Sequence, residues 1–158
     1  MLPLTTNSFN IVLYQPEIPA NTGNIGRLCL GSNSRLHLIK PLRFLLDDKS
    51  LKRAGLDYWH EVDVVIHDNI EQILAETPKE KLWFCTTKAE NSYLDQTYQE
   101  GDFFIFGPES RGLPEELLQQ YPDRCITIPM TDKIRSINLS NSVAIILFEA
   151  IRQTISAS

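Results

Sequence analysis

Polar side chains that can bind or orient a ligand are concentrated in residues 16–27, 106–114 and 128–141. They carry amide, hydroxyl, carboxylate and guanidinium groups, which can hold a polar substrate and assist proton movement. Each stretch follows a predicted strand, and open α/β sheets bind their ligands at the carboxyl ends of their strands. The sequence therefore indicates a ligand site built from loops at that edge of a sheet.

In the first stretch, Asn21 and Arg27 lie six residues apart on a predicted helix, and we expect both to face the same cleft. The alternative interpretation is structural. In that case Asn21 or Thr22 caps the helix, and Gly23 is a turn residue.

In the second stretch, Glu109 and Arg111 project from a tight loop after a Gly-Pro pair, where little side-chain bulk lets the backbone approach a flat ligand. A polar turn with a surface ion pair is the alternative. The third stretch carries more polar groups than one helix cap requires, namely Arg135, Ser136, Asn138, Ser140 and Asn141. A capping sequence alone is the alternative there.

Several common kinds of catalytic site are excluded. No G-x-G-x-x-G follows the first predicted strand, which argues against a Rossmann dinucleotide or methyltransferase site, and no P-loop occurs. The histidines His37, His60 and His67 lie apart and outside the polar stretches, so a metal site or a Ser-His pair lacks its parts. His37 is interpreted as structural. A hydrolase using Ser110 and Glu109 lacks a His or Lys base in the same stretch.

The elements that must position these stretches alternate between strands and helices. Short apolar runs predict strands at residues 9–14, 35–40, 62–67, 82–86, 103–106 and 125–128. Helical patterns occur at residues 19–30, 47–54, 69–76, 114–121 and 139–154. This alternation predicts one three-layer α/β domain over residues 1–158, with a mostly parallel sheet.

The last predicted helix is apolar around more of its circumference than one partner can cover. Ile145 and Phe148 extend its apolar surface beyond the stripe expected to face the core. The helix therefore needs a second partner, which is either a neighbouring helix or a second subunit. We favour the second subunit.

Charge is distributed unevenly along the 158 residues, whose formal net charge is −5. From Arg27 to Arg53 there are seven basic and two acidic residues, a local balance of +5, so the remainder carries −10. A basic patch on an acidic body is expected where one surface meets phosphates. A solvated helix face is the alternative.

The sequence also limits the cellular setting. The longest apolar run has six residues, far from the roughly 20 that a membrane helix needs. The amino terminus lacks the pattern of a signal peptide. Cys29, Cys85 and Cys125 are odd in number and far apart, which indicates buried reduced thiols. We therefore expect a cytoplasmic protein without a membrane segment or a metal.

The polar stretches resemble the three motifs of the SPOUT superfamily of knotted RNA methyltransferases. The matching segments are P-E-I-P-x-N-T-G-N-I-x-R at residues 16–27, F-G-P-E-x-R-G-L-P at 106–114 and R-S-x-N-L-S-N at 135–141. Together with residues 47–58, they are most similar to the bacterial tRNA methyltransferases that modify the 2′-oxygen of cytidine 34. The similarity covers nearly the whole chain.

This resemblance implies a deep trefoil knot in the C-terminal part of the sheet, which general rules of chain topology would not predict. It implies S-adenosylmethionine as cofactor, held mainly by backbone. The cofactor-binding positions of the family fall on Cys85, Gly107, Ile128 and Ser136. It also implies a homodimer that packs partly through the first and last helices.

The resemblance further implies catalytic positions, which fall on Asn21, Arg27, Glu109, Ser136 and Asn138. A ribose 2′-hydroxyl is a poor nucleophile, so the reaction needs in-line positioning and help with the departing proton. Our hypothesis is that Arg27 binds the adjacent phosphate and stabilises alkoxide charge. Asn21 and Glu109 would orient the ribose or the arginine.

The resemblance also suggests what the basic residues bind. Phosphate contacts to an anticodon stem-loop are expected from Arg43, Lys49, Lys52 and Arg53. The activity implied is 2′-O-methylation of the wobble nucleotide, cytidine or uridine 34, in tRNA. The alternatives are the same chemistry at another tRNA or ribosomal RNA position, or a catalytically silent RNA-binding dimer.

Overall fold

A computed structural model describes residues 1–4, 9–47, 49–50 and 57–157. The predicted helix at residues 47–54 lies mostly outside these residues, and with it Lys52 and Arg53. The strands are β1 (Asn10–Tyr14), β2 (Arg35–Ile39), β3 (Val64–His67), β4 (Leu82–Cys85), β5 (Phe103–Phe106) and β6 (Cys125–Ile126). The helices include α1 (Pro19–Gly31), α2 (Glu71–Glu76), α3 (Glu115–Gln120) and α4 (Leu139–Ala157).

The strands form one sheet in the order β3-β2-β1-β5-β4-β6, and each strand pair of the described chain is parallel. This confirms the predicted class. The trefoil knot implied by the resemblance stays a prediction. Within the described residues, no helix combines the length and apolar character that a bilayer span requires.

Five strands are shorter than the sequence predicted, three of them by one residue and β3 and β6 by two. β3 begins at Val64 rather than at residue 62, because a 3₁₀ turn at Asp57–Glu61 ends with the Val62 N–H donating to the Trp59 carbonyl. β6 ends at Ile126, after which Thr127 forms only an isolated bridge to Ser92. Side-chain pattern alone predicted both extensions, since Val62 is buried and Ile128 packs against the core although both lie outside the strands.

Helices cover both faces of the sheet. On one face, alternate strand residues such as Leu13 and Phe104 pack against Ile25 of α1 and Val143 of α4. On the other, residues such as Ile105 pack with Ile73 of α2 and Leu117 of α3. Burial on both faces explains why the strands are almost continuously apolar. The three predicted layers are therefore present.

Because the strands are parallel, their carboxyl ends meet at one edge of the sheet. β1 pairs with β5, β5 pairs with β4, and β4 pairs with β6. The loops that follow these four strands are therefore neighbours, and they contain the three polar stretches. The sheet order brings together residues that are more than 100 positions apart in sequence.

Candidate functional site

A cavity of about 390 Å³ opens where these loops meet. Its walls come from the loops after β4, β5 and β6 and from the first turns of α1 and α4. All four positions that the resemblance assigned to the cofactor line it, namely Cys85, Gly107, Ile128 and Ser136. Asn21, Glu109 and Asn138 line it as well.

The carboxylate of Glu109 holds the start of α1. One oxygen accepts a hydrogen bond from the backbone N–H of Glu17 at 2.9 Å, and the other accepts from the N–H of Ile18 at 2.9 Å. The residue at the N-cap of α1 is Ile18, which offers no side-chain cap, and the first turn contains no acidic residue. Glu109 thus places a negative charge at a helix amino terminus from a distant loop.

Asn21 is only 6% exposed, and both ends of its amide are engaged. Its Nδ2 donates to Glu109 at 3.1 Å, while its Oδ1 accepts from Asn138 Nδ2 at 3.2 Å. These two bonds fix the orientation of the amide plane. They also connect one residue from each of the three polar stretches.

Asn138 is at the same time the cap of α4. Its Oδ1 accepts hydrogen bonds from the Ser140 N–H at 2.9 Å, the Ser140 hydroxyl at 2.7 Å and the Asn141 N–H at 3.3 Å. The capping interpretation of the third stretch is therefore correct, and the site interpretation is compatible with it. The oxygen of Asn138 caps the helix, and its nitrogen reaches the site.

A second carboxylate, which sequence reasoning did not assign, holds the loop after β5. Glu17 accepts from the Ser110 N–H at 2.9 Å and from the Ser110 hydroxyl at 2.7 Å. These bonds lower the pKa of Glu17, and the charges of Arg111 and Arg43 lower it further. The only sequence signal was the placement of Glu17 between a strand end and a helix start.

Gly107 permits the loop after β5 to fold back on itself. A Cβ at this position would lie 2.3 Å from both the carbonyl carbon of Gly112 and the nitrogen of Leu113. Gly112 has a φ of +72°, in the left-handed region that glycine adopts readily. The loop's own backbone occupies the space beside Gly107, and the approach of a flat ligand to this loop stays a prediction.

Arg27 does not line the cavity that contains Asn21. It is exposed, and its guanidinium lies 5.7 Å from the ring centre of Tyr58, whose hydroxyl donates to the Gly23 carbonyl at 2.8 Å. Six residues at about 100° each turn Arg27 roughly 120° away from Asn21 around the helix axis. The prediction that both face one cleft is therefore wrong within a single chain.

The predicted RNA-binding residues are described only in part. Arg43 and Lys49 are exposed, as phosphate contacts require. Lys52 and Arg53 lie outside the described residues. Arg43 is tied to the turn after β1, since its backbone N–H donates to the Pro16 carbonyl at 3.4 Å and its charge acts on Glu17.

The three cysteines are free, and burial raises the pKa of each thiol, that of Cys85 well above its ordinary value. A raised pKa disfavours the thiolate form of Cys85, which a nucleophilic cysteine requires. Within the described residues, no group of three potential ligands could hold a metal ion.

The sequence suggested that the three histidines lie apart, but the structure brings two of them together. Pairing of β2 with β3 brings His37 Nδ1 to 2.9 Å from His67 Nε2, and His37 Nε2 lies 2.9 Å from Asn10 Oδ1. His37 is buried and its partners belong to the sheet. Its predicted structural role agrees with this network.

Comparisons with known proteins all point to one family. The model of the SpoU rRNA Methylase family matches residues 8–148. A tRNA (cytidine(34)-2'-O)-methyltransferase of Methylovorus glucosotrophus is 52% identical, over 92% of this chain and 95% of that protein. The protein of the same name from Escherichia coli K12 is 48% identical, over 91% of this chain and 92% of its own length.

A solved structure, described as "Structural insights into the 2-OH methylation of C/U34 on tRNA", has the same fold. It is 44% identical, with a TM-score of 0.84, and the match covers 94% of this chain and 97% of that chain. The sequence motifs, the parallel sheet and the loops around the cavity thus agree with the family match, and the chain belongs to the SpoU methylase family.

Proposed function

We propose that this protein transfers a methyl group from S-adenosylmethionine to the ribose 2′-oxygen of nucleotide 34, cytidine or uridine, in tRNA. The observation that carries the proposal is the chain of hydrogen bonds from Glu109 through Asn21 to Asn138 at the edge of one cavity. Relatives that are about 50% identical over nine tenths of the chain carry the name of this activity.

The cavity suits the cofactor in size and character. About 390 Å³ lies within the range of roughly 300–1,000 Å³ typical of small-molecule sites. Apolar walls from Ile126 and Leu113 face polar groups of Thr86 and Ser142. Cys85, Gly107, Ile128 and Ser136 are proposed to bind the cofactor. When bound, S-adenosylmethionine supplies an electrophilic methyl carbon to the 2′-oxygen.

The residues around the cavity act mainly by positioning. The carboxylate of Glu109 accepts three hydrogen bonds from groups of its own chain, so it holds Asn21 rather than the ribose. Asn21 and Asn138 would then present an oriented pair of amides to the ribose hydroxyls. Fixed donors and acceptors lower the entropy cost of in-line attack.

Arg27 lies outside the cavity of its own chain, so a role at the ribose requires a second subunit. Arg27 lies on α1, Phe148 is 48% exposed on α4, and these two helices pack against each other. We propose a homodimer through α1 and α4 that brings Arg27 to the partner's cavity. There the guanidinium would stabilise negative charge that develops on the 2′-oxygen, since it stays protonated itself.

The remaining proposals concern the substrate and the setting. Exposed Arg43 and Lys49 would contact phosphates of the anticodon stem-loop, with Lys52 and Arg53 extending the patch. One domain over residues 1–158 is supported by a sheet that takes strands from residue 10 to residue 126. The cytoplasmic location that we propose for the protein agrees with a tRNA substrate.

The test is methyl transfer to unmodified tRNA from methyl-labelled S-adenosylmethionine, with the label mapped by nuclease digestion and mass spectrometry. Label on the 2′-oxygen of nucleotide 34 supports the proposal. Label on another tRNA position or on ribosomal RNA overturns the substrate and keeps the chemistry. Cofactor binding without transfer to any RNA overturns the activity and indicates a silent RNA-binding dimer.

A further inference from the structure

Arg111 is a cation at the rim of the cavity that no role above uses. It lines the cavity and is exposed, and its Nη2 donates to Gln15 Oε1 at 3.0 Å. Gln15 itself has a φ of +50°, so the turn after β1 directs this side chain toward the loop after β5. One hydrogen bond orients the guanidinium and leaves most of its donors for a ligand.

The partner of Arg111 is neutral, in contrast with the partners of other cations. Lys88, Arg35 and Arg152 each have a carboxylate oxygen within 2.9 Å. No carboxylate of the described residues lies within ion-pair distance of Arg111. Arg111 is thus held in place without being neutralised, which is the arrangement expected of a cation that receives an anionic ligand.

The acidic group that acts on Arg111 from the same turn is Glu17, and it does not cancel the charge. Its Oε1 already accepts two hydrogen bonds from Ser110. Glu17 also lies in the field of a second arginine, Arg43, whose backbone is bonded to the neighbouring Pro16. Two arginines therefore lie beside two carboxylates, since Glu109 bonds to the Glu17 N–H, and both carboxylates are already engaged by hydrogen-bond donors of the chain.

Arg43 and Arg111 both bond to the turn at residues 15–17. Arg43 is exposed, Arg111 lines the cavity, and the turn lies between them. An RNA strand that contacts Arg43 and places a ribose in the cavity would come close to Arg111. Arg27, by contrast, lies outside this cavity.

We propose that Arg111 binds the phosphodiester next to the target ribose, with Gln15 holding the guanidinium in position. This inference rests on the proposed function, and it adds a phosphate subsite at the rim. A planar guanidinium can donate two parallel hydrogen bonds to a phosphate, which fixes orientation as well as distance. The subsite would set where the RNA chain stops and which ribose enters the cavity.

The test measures binding of a synthetic anticodon stem-loop RNA across a salt series. Arg111→Gln should weaken binding roughly tenfold and reduce the slope of log K against log salt by about one, since one phosphate contact is lost. Arg111→Lys should keep the slope while raising KM for RNA. The matched control is Lys79→Gln, which removes an exposed charge before β4, at the opposite end of the sheet.

The outcomes separate this inference from the proposed function. If the slope of Arg111→Gln equals that of the wild type, the phosphate subsite is overturned even when methylation proceeds. Weaker cofactor binding with unchanged RNA binding would also overturn it and assign Arg111 to the cofactor carboxylate. A reduced slope in a protein that binds the stem-loop but transfers no methyl group supports the subsite and overturns only the proposed reaction.

Discussion

Glu17 and Glu109 each hold the loop that carries the other. The Glu109 carboxylate accepts the N–H groups of Glu17 and Ile18, and the Glu17 carboxylate accepts the N–H and hydroxyl of Ser110. Two like charges can lie this close because each is surrounded by hydrogen-bond donors. These reciprocal hydrogen bonds lock the turn after β1 to the loop after β5, and they set the position of Asn21.

Replacing Glu109 by Gln should disturb this lock. An amide has one acceptor oxygen, so its NH₂ group must face a donor N–H of the turn, and a hydrogen bond worth about 1–3 kcal/mol is lost. We expect kcat to fall more than tenfold, with a moderate loss of stability in urea unfolding. Glu116→Gln, on the exposed side of α3, is the control and should change neither quantity.

Replacing Asn138 by Asp separates its two functions. The carboxylate still caps α4, so the free energy of unfolding should change by less than about 0.5 kcal/mol. The donor to Asn21 is lost, so the amide of Asn21 is oriented by Glu109 alone. Activity should therefore fall at nearly unchanged stability. Asn138→Ala should reduce activity and also lower the stability by about 1 kcal/mol, because the helix cap is lost as well. Full activity of Asn138→Asp would contradict the positioning role.

Replacing Gly107 by Ala tests the folded-back loop. The added Cβ would lie 2.3 Å from two backbone atoms, so the loop must move. We expect a cost of about 3 kcal/mol or more and weaker cofactor binding by calorimetry. The matched control is Gly31→Ala at the end of α1, where no atom lies within 4 Å of the new Cβ. Equal melting temperatures for both variants would contradict the expectation.

Stability should depend on pH through His37. Burial lowers the pKa of His37 to about 4, and the charges of His67 and Arg35 contribute, while Asp63 opposes them. Because the folded pKa lies below the unfolded value of about 6.5, the unfolded chain binds more protons between these values, and stability falls as the pH drops through this window.

The expected loss from pH 7.5 to pH 5 is about 2 kcal/mol for His37 alone. Urea unfolding at the two pH values measures it. His37→Gln should remove most of the difference while its side chain can still bond to Asn10. A difference that survives in this variant would assign the pH dependence to another group, of which His67 is the first candidate because its pKa is also lowered by burial.

Replacing Phe148 by Asp tests the proposed dimer. Phe148 is 48% exposed on α4, and a charge in an apolar interface is costly. Sedimentation should show monomers, and methyl transfer should be lost with them if Arg27 acts in the partner's cavity. Leu94→Asp is the control, since Leu94 is 56% exposed and belongs to the turn at Tyr93–Asp95 rather than to α1 or α4. A dimeric Phe148→Asp protein would remove this interface from consideration.

The sequence by itself determined the layers, the parallel sheet and the three loops that meet at one edge. Apolar strands of four to six residues that alternate with helices leave few other arrangements, and polar loops after them mark the edge. The positions that the resemblance assigns to the cofactor, Cys85, Gly107, Ile128 and Ser136, were also named from the sequence, and all four line one cavity.

Only the tertiary structure decided which polar groups bind one another. Glu17 pairs with a serine 93 positions away, and His37 meets His67 only because β2 and β3 are neighbours. It also decided that Arg27 turns away from the cavity and that Arg111 faces it. Spacing along the chain fixes the angle around a helix, but which side faces a ligand depends on how the helix packs on the sheet.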